Sequence, residues 1–207
     1  MKYIIMCGGG RIGEIPKQMY RVNGEEIVER TIRLLRAEGV EDIAISTRDK
    51  VFEKYNVPLL EHDNTYFNRY GRNYWVDGFY PTDEPATYIF GDVYFSPEAI
   101  HKIVTTDTND IEFFASAPPF AREYPKPWAE PFAFKVVNQQ HFRKAIADVK
   151  CLCDSGSYTR HPIAWELWGM IKGTLINHID YRNYTAINDY TCDVDQEGDV
   201  KQWRIKR

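Results

Sequence analysis

No run of about 18 apolar residues occurs in the 207-residue chain, so its pattern holds no membrane-spanning helix. The apolar stretch at the start lasts only a few residues before glycines begin. It is too short for the core of a signal peptide and has no cleavage pattern. Cysteine is scarce: Cys7, Cys151, Cys153 and Cys192 match neither a zinc site nor a redox Cys-x-x-Cys. A chain of this size needs no disulfide staples, so reduced thiols in a cytoplasmic protein are the expectation. Blocks of one charge are missing too. The formal net charge is −4, without the basic cluster of a protein that coats nucleic acid. Internal repeats and low-complexity tracts are likewise absent from the sequence.

Apolar residues make up 43% of the chain and charged residues 27%, enough to bury a core and stay soluble. The length suits one domain over residues 1–207. Fourteen tyrosines and five tryptophans exceed what a core uses, which puts some of them in a cleft or an interface.

Residues 2–7 form a continuous apolar run, as a strand buried on both faces does. A glycine-rich loop follows over 8–13. Residues 24–38 read as a helix with Ile27, Val28, Thr31, Ile32 and Leu35 on one face, stopped by Gly39. Residues 42–47, 57–60 and 86–90 read as strands, the second near a sheet edge because it contains Pro58. Ser96 caps a helix that has Pro97 at its first position and Ile100, Ile103 and Val104 turned inward. This alternation predicts a largely parallel sheet with helices on both faces and ligands beyond the carboxyl ends of its strands. Gly8 to Arg11 and Gly91-Asp92 both fall at such ends.

Farther on, residues 111–117 and 132–137 are expected strands. Five prolines between 118 and 131 mark a long loop or arm. Asn138 caps a helix bearing Phe142, Ala145, Ile146 and Val149 inward, and residues 162–172 form another, closed by Gly173. Residues 189–194 read as a strand, followed by a short helix with Val200 and Trp203.

The chemistry concentrates in Ile4-Ile5-Met6-Cys7-Gly8-Gly9-Gly10-Arg11, then Pro16-Lys17, then Val22-Asn23-Gly24. Glycines directly after a buried strand let the backbone bend and aim amide N–H groups at an anion. An arginine there can fork onto phosphate oxygens, and a nearby lysine adds a mobile point charge where phosphoryl transfer builds up negative charge. No Gly-Lys-Ser/Thr closes the loop, so it is not a Walker motif, and its helix begins too late for Gly-x-Gly-x-x-Gly.

The succession of glycine loop, Arg, Pro-Lys, hydrophobic-x-Gly and helix resembles the nucleotidylyltransferases. These include sugar-1-phosphate nucleotidylyltransferases, phosphocholine-type cytidylyltransferases and molybdenum-cofactor guanylyltransferases. The resemblance covers residues 1–105 well and 106–188 only in strand–helix order. It implies a Rossmann-like three-layer α/β sandwich with a mostly parallel mixed sheet. It also implies Mg2+-dependent transfer of a nucleoside monophosphate from an NTP, CTP first, to a small phosphorylated acceptor of surface-glycan or phospholipid metabolism. Cys7, Gly8, Gly9, Gly10, Arg11, Lys17 and Asn73 are the implied nucleotide-binding positions, with Arg11 and Lys17 catalytic. Ile89-Phe90-Gly91-Asp92-Val93-Tyr94-Phe95 resembles the family's metal-binding strand end, giving Asp92 as a ligand. Asp193-Val194-Asp195-Gln196-Glu197-Gly198-Asp199 resembles the second acidic element, with Asp195 as ligand, Asp193 as its alternative and Asp199 as a structural acid. The proline-rich arm, by the same resemblance, is a homodimer element. The sequence departs from the family in Met6-Cys7 before the loop, in a loop one residue shorter before Arg11, and in Arg72-Asn73-Tyr74-Trp75-Val76-Asp77 where base recognition is expected.

Plain readings stand beside these. Asp92 could be a turn residue and Asp195 only a helix cap. Lys135, Arg160 and Glu166 are candidates for the acceptor side, with a solvent-facing lysine as the alternative for Lys135 and a surface histidine for His161. Trp165 and Trp168 fit a core stripe better than an acceptor pocket. Asp180, Arg182 and Asp189 could face the acceptor or nothing. Trp75, Tyr124 and Trp128 could line the cleft or a dimer contact. Two rival classes are a glycosyltransferase, which would place Asp-x-Asp at the metal-binding strand end, and a catalytically inactive nucleotide-binding homologue.

Overall fold

The structure, a computed structural model, describes residues 1–64, 66, 68, 71–117, 129–196 and 199. Seven strands form one sheet: β1 (Lys2–Met6), β2 (Ile43–Ser46), β3 (Leu59–Leu60), β4 (Ala86–Phe90), β5 (Ile111–Ser116), β6 (Glu130–Val136) and β7 (Thr185–Ala186). Their order is β7-β5-β6-β4-β1-β2-β3. β1 runs parallel to both neighbours, with Ile4 opposite Ala44 on one side and Tyr88 on the other. β6 is antiparallel to β4 and β5, and β7 is parallel to β5. The sheet is therefore mixed, mostly parallel in its first half. β3 sits at the edge that Pro58 predicts, shortened to two residues.

Among the described residues, four α-helices cover it: α1 (Ile27–Ala37), α2 (Pro97–Thr105), α3 (Gln139–Asp154) and α4 (Ala164–Lys172). α1 packs on α2, and α3 on α4. The α3–α4 pair lies on the face carrying Tyr88, Phe134 and Phe113. There Phe142 stacks on Tyr88 at 5.7 Å, and Trp165 and Trp168 meet Phe113 at 5.0 and 5.5 Å. The opposite face, with fully buried Ile89, Ala133 and Phe114, is left to α1 and α2. Trp165 and Trp168 are thus core residues. Replacing Phe142, which touches Phe79, Tyr88 and Phe134, is expected to cost ~3–5 kcal/mol as Phe142→Ala, read by chemical denaturation.

Local boundaries differ from the sequence reading for physical reasons. α1 starts at Ile27 rather than residue 24, because Asn23 and Gly24 both adopt positive φ (56° and 87°) and turn a hairpin between Arg21–Val22 and Glu25–Glu26. Helix α4 begins at Ala164, two residues after Pro162. Gly173 closes it at φ 67°, as expected. The strand expected over 189–194 is only Cys192–Asp193, and it pairs with Val93–Tyr94 outside the main sheet. The arm at 118–128, with Tyr124 and Trp128, lies outside the described residues, as do Val200 and Trp203. Pro131, by contrast, sits inside β6, opposite Ala115 at a register shift. Among the described residues, no helix is long and apolar enough to cross a membrane.

Candidate active site

The strand order reverses at β1: the chain moves outward through β2 and β3, then returns to place β4 on β1's other side. A crevice opens at the carboxyl ends of strands at such a switch point. A cleft of about 1080 Å³ lies there, lined by Cys7, Gly8, Gly9, Gly10, Arg11, Lys17, Asn73, Asp92 and Asp195 among others. Nine positions singled out in the sequence thus converge on one cavity. Lys135, Arg160 and Glu166 do not line it.

The glycine loop is tied down at its root. Cys7 N–H donates to Ser46 O at 2.9 Å, and Gly91 N–H to Met6 O at 3.1 Å. Gly9 has φ 94°, which a side chain would strain. A Cβ on Gly91 would lie 2.6 Å from Met6 O and 2.8 Å from Cys7 Sγ. Only glycine lets the two strand tips approach so closely, and that approach sets Asp92 beside the loop.

The Arg11-to-Lys17 spacing has a simple cause. Arg11–Ile12 and Ile15–Pro16 pair as a tight hairpin around Gly13, and Lys17 N–H then donates to Gly10 O at 3.3 Å. The hairpin folds Lys17 back over the glycines. Its ammonium lies 2.7 Å from Asp195 Oδ1 and 3.8 Å from Asp92 Oδ2. Burial pulls the Lys17 pKa down, but the bond to Asp195 and the charges of Asp92, Asp195 and Asp193 outweigh it, so the pKa is raised and the cation persists.

Asp195 reaches this position through tertiary pairing. Val194 N–H donates to Asp92 O at 2.9 Å, fixing the late acidic segment along the Asp92 turn. Asp199 Oδ2 accepts from the N–H groups of Asp195 and Gln196 at 2.9 and 3.2 Å, so it is the structural acid of that turn. Asp92 and Asp195 flank one cation, the Lys17 ammonium. They present the hard carboxylate oxygens that suit magnesium, so the residues fit the ion that the resemblance implies.

Arg11 is engaged elsewhere. Its guanidinium bonds the Asp49 carboxylate and the Glu14 carbonyl on the cleft rim. Asn73 donates to Asn64 O at 2.9 Å and forms part of the wall. Burial and the charge of Asp92 push the Cys7 thiol up, which keeps it neutral and unreactive.

The acceptor-side candidates have structural jobs instead. Lys135 is 5% exposed and caps the end of α2, donating to Val104 O at 2.9 Å and Thr106 O at 2.6 Å. It is neither a phosphate ligand in the cleft nor a solvent-facing lysine, because a helix C-terminus offers it orphan carbonyls. Glu166 accepts from Ile163 N–H at 2.9 Å and Arg160 Nε at 2.6 Å, which starts α4. His161 pairs with Asn68 at 3.1 Å, and Asp189 caps Ser96 Oγ and Thr191 N–H. Asp180 and Arg182 pair with each other on the surface.

Among the cleft residues that escaped the sequence reading, Glu130 and Gln18 are the most deeply buried polar ones. Glu130, 1% exposed, accepts from Asp193 N–H at 3.4 Å and faces Cys192 Sγ at 3.8 Å. Gln18, 2% exposed, donates to Gly8 O at 3.3 Å. Glu130 follows a proline-rich tract with no motif around it. Gln18 could have been noticed only as the neighbour of Lys17. Trp75, read as lining either the cleft or a dimer contact, lines the cleft wall and meets Phe90 edge-on at 5.5 Å.

No known family model and no curated sequence matches this chain. Solved structures do match its fold. The inositol-1-phosphate CTP transferase of T. maritima aligns over 98% of this chain and 93% of its own, with TM-score 0.55 and 17% identity. The 4-diphosphocytidyl-2C-methyl-D-erythritol synthase of Anaerococcus prevotii aligns over 100% and 97%, with TM-score 0.56 and 10% identity. HddC from Yersinia pseudotuberculosis, complexed with GMP-PN, aligns over 97% and 96%, with TM-score 0.51 and 14% identity. The chain therefore shares its α/β fold with these proteins.

Proposed function

We propose that this chain is a Mg2+-dependent nucleotidylyltransferase, using CTP first among the NTPs, that acts on a small phosphorylated acceptor. One observation carries the reading: the tips of β1 and β4 and the 193–195 segment place a glycine loop, one lysine and two aspartates around a single point. That is the equipment for positioning a triphosphate and neutralising the charge that develops on it.

An acceptor phosphate oxygen attacks the α-phosphorus in line. The new O–P bond forms as the bond from the α-phosphorus to the bridging oxygen breaks, and pyrophosphate leaves with that electron pair. The nucleophile is already an anion, so no base has to deprotonate it. The loop N–H groups and Lys17 hold the leaving phosphates, and Arg11 joins them once it releases Asp49. Asp92 and Asp195 would hold magnesium, which when bound would supply positive charge to offset that of the phosphates. Two of the three matching folds named above belong to enzymes of cytidine nucleotides, which supports CTP; the third was solved with GMP-PN, so the fold alone leaves the base open.

The test is pyrophosphate release with magnesium, CTP, UTP, GTP, ATP and dTTP in turn, and a pool of phosphorylated sugars, alcohols and amino acids. Release with CTP, dependent on one acceptor, is the expected result. Release with a different NTP alone would correct the base. Tight NTP binding with no release from any pair would instead favour an inactive nucleotide-binding homologue.

A further inference from the structure

Gln18 is polar, 2% exposed, and placed between the two strand tips that build the cleft. Its Nε2 donates to Gly8 O at 3.3 Å, and its Cγ lies 3.0 Å from where a Cβ on Gly91 would stand. The carbonyl partner fixes which end of the amide is the donor. In a trans peptide the C=O and the following N–H point in opposite directions. Turning Gly8 C=O inward onto Gln18 therefore turns the Gly9 N–H outward, to the cleft that Gly8, Gly9 and Gly10 line. Among the described residues no backbone carbonyl accepts from that N–H. Gly9 is at φ 94°, so the peptide could rotate readily without a restraint.

We infer that Gln18 is a positioning residue for the triphosphate: it locks the Gly8–Gly9 peptide with the Gly9 N–H aimed at phosphate, and it spaces that loop from the Asp92 turn. The inference rests on the nucleotidyl-transfer reading of the cleft. Lys17 and Gln18 are adjacent in the chain, so one turn supplies both a mobile charge above the loop and a fixed restraint beneath it.

The variants are Gln18→Met, which keeps length and bulk but removes the donor, and Gln18→Glu, which sets an acceptor against the Gly8 carbonyl. Binding of CTP, CMP and cytidine is measured by calorimetry on each, with the 15N–1H signal of Gly9 followed on titration and with circular dichroism melts as the folding control. If another NTP binds better in the panel above, its own series is used. Gln18→Met is expected to weaken triphosphate binding about tenfold and to abolish the nucleotide-induced Gly9 shift, while nucleoside affinity changes less than about twofold. Gln18→Glu should weaken the triphosphate further. Equal losses for nucleoside and triphosphate, or no loss with an unchanged Gly9 shift, would overturn the inference. Wild-type binding without turnover would sink the enzymatic reading yet leave the Gln18 comparison intact. Failure of the wild-type chain to bind any NTP would overturn both.

Discussion

Asp92→Asn is expected to lower pyrophosphate release at least ~10³-fold, equivalent to about 4 kcal/mol of lost transition-state stabilisation. Asparagine keeps the volume at the tip of β4 and the close approach of Gly91 to Met6 O, so the strand geometry survives. What disappears is the charge that would hold a dication against the phosphates. The Asp92 side chain is about one-third exposed, so the melting midpoint should move little. A variant that keeps more than a tenth of the wild-type rate would remove Asp92 from the proposed site. Asp195→Asn and Asp193→Asn, run beside it, discriminate the second position. Asp195 touches the Lys17 ammonium directly at 2.7 Å, so its loss should approach that of Asp92, and the loss for Asp193 should be smaller.

Lys17→Met is the second large effect, about 10²–10³-fold in kcat/KM, the scale of removing one donor aimed at developing charge. Without nucleotide the same change has an electrostatic consequence. The ammonium offsets two carboxylates, and methionine leaves them facing each other. Asp195 is half exposed, so screening limits the cost to about 1 kcal/mol or less, or ~2–4 °C in melting midpoint. Magnesium or manganese should then raise the midpoint of the variant more than that of the wild type, because the dication replaces the missing charge. Equal metal effects on both proteins would mean that the ion binds elsewhere. The pH dependence carries a definite sign. The Lys17 pKa is raised on folding, so its stabilisation is fully present below the unfolded lysine pKa and is lost only as pH rises through the higher folded value. An alkaline fall in activity near neutrality would therefore belong to another group.

Most of the first half was legible because its signals are local. The 2–6 strand announces itself by being apolar throughout, α1 by one buried face, and α2 by Ser96 accepting the Ala99 N–H with Pro97 behind it. The hairpin at Asn23-Gly24 was missed: Asn-Gly is a turn signature, but the helix pattern beyond it drew the expected start back to residue 24, and only the structure shows both residues at positive φ. The acceptor side was not. Lys135 and Glu166 looked available as charged residues, yet each is taken by a helix end, and no sequence pattern says which helix end lies near which side chain.

The sequence by itself determined the strand–helix order, the glycine loop after β1 and the Gly91-Asp92 tip, because backbone bending, capping and apolar periodicity act over a few residues. The tertiary structure alone decided that Lys17 lies 178 positions from its closest anionic partner and still bonds it. It decided that Arg11 turns to Asp49, and that Glu130 and Gln18 are sealed into the cleft floor. Those outcomes depend on which strand tips meet at the switch point of the sheet and on which polar groups are buried there. A buried polar group must find a partner wherever the chain happens to bring one.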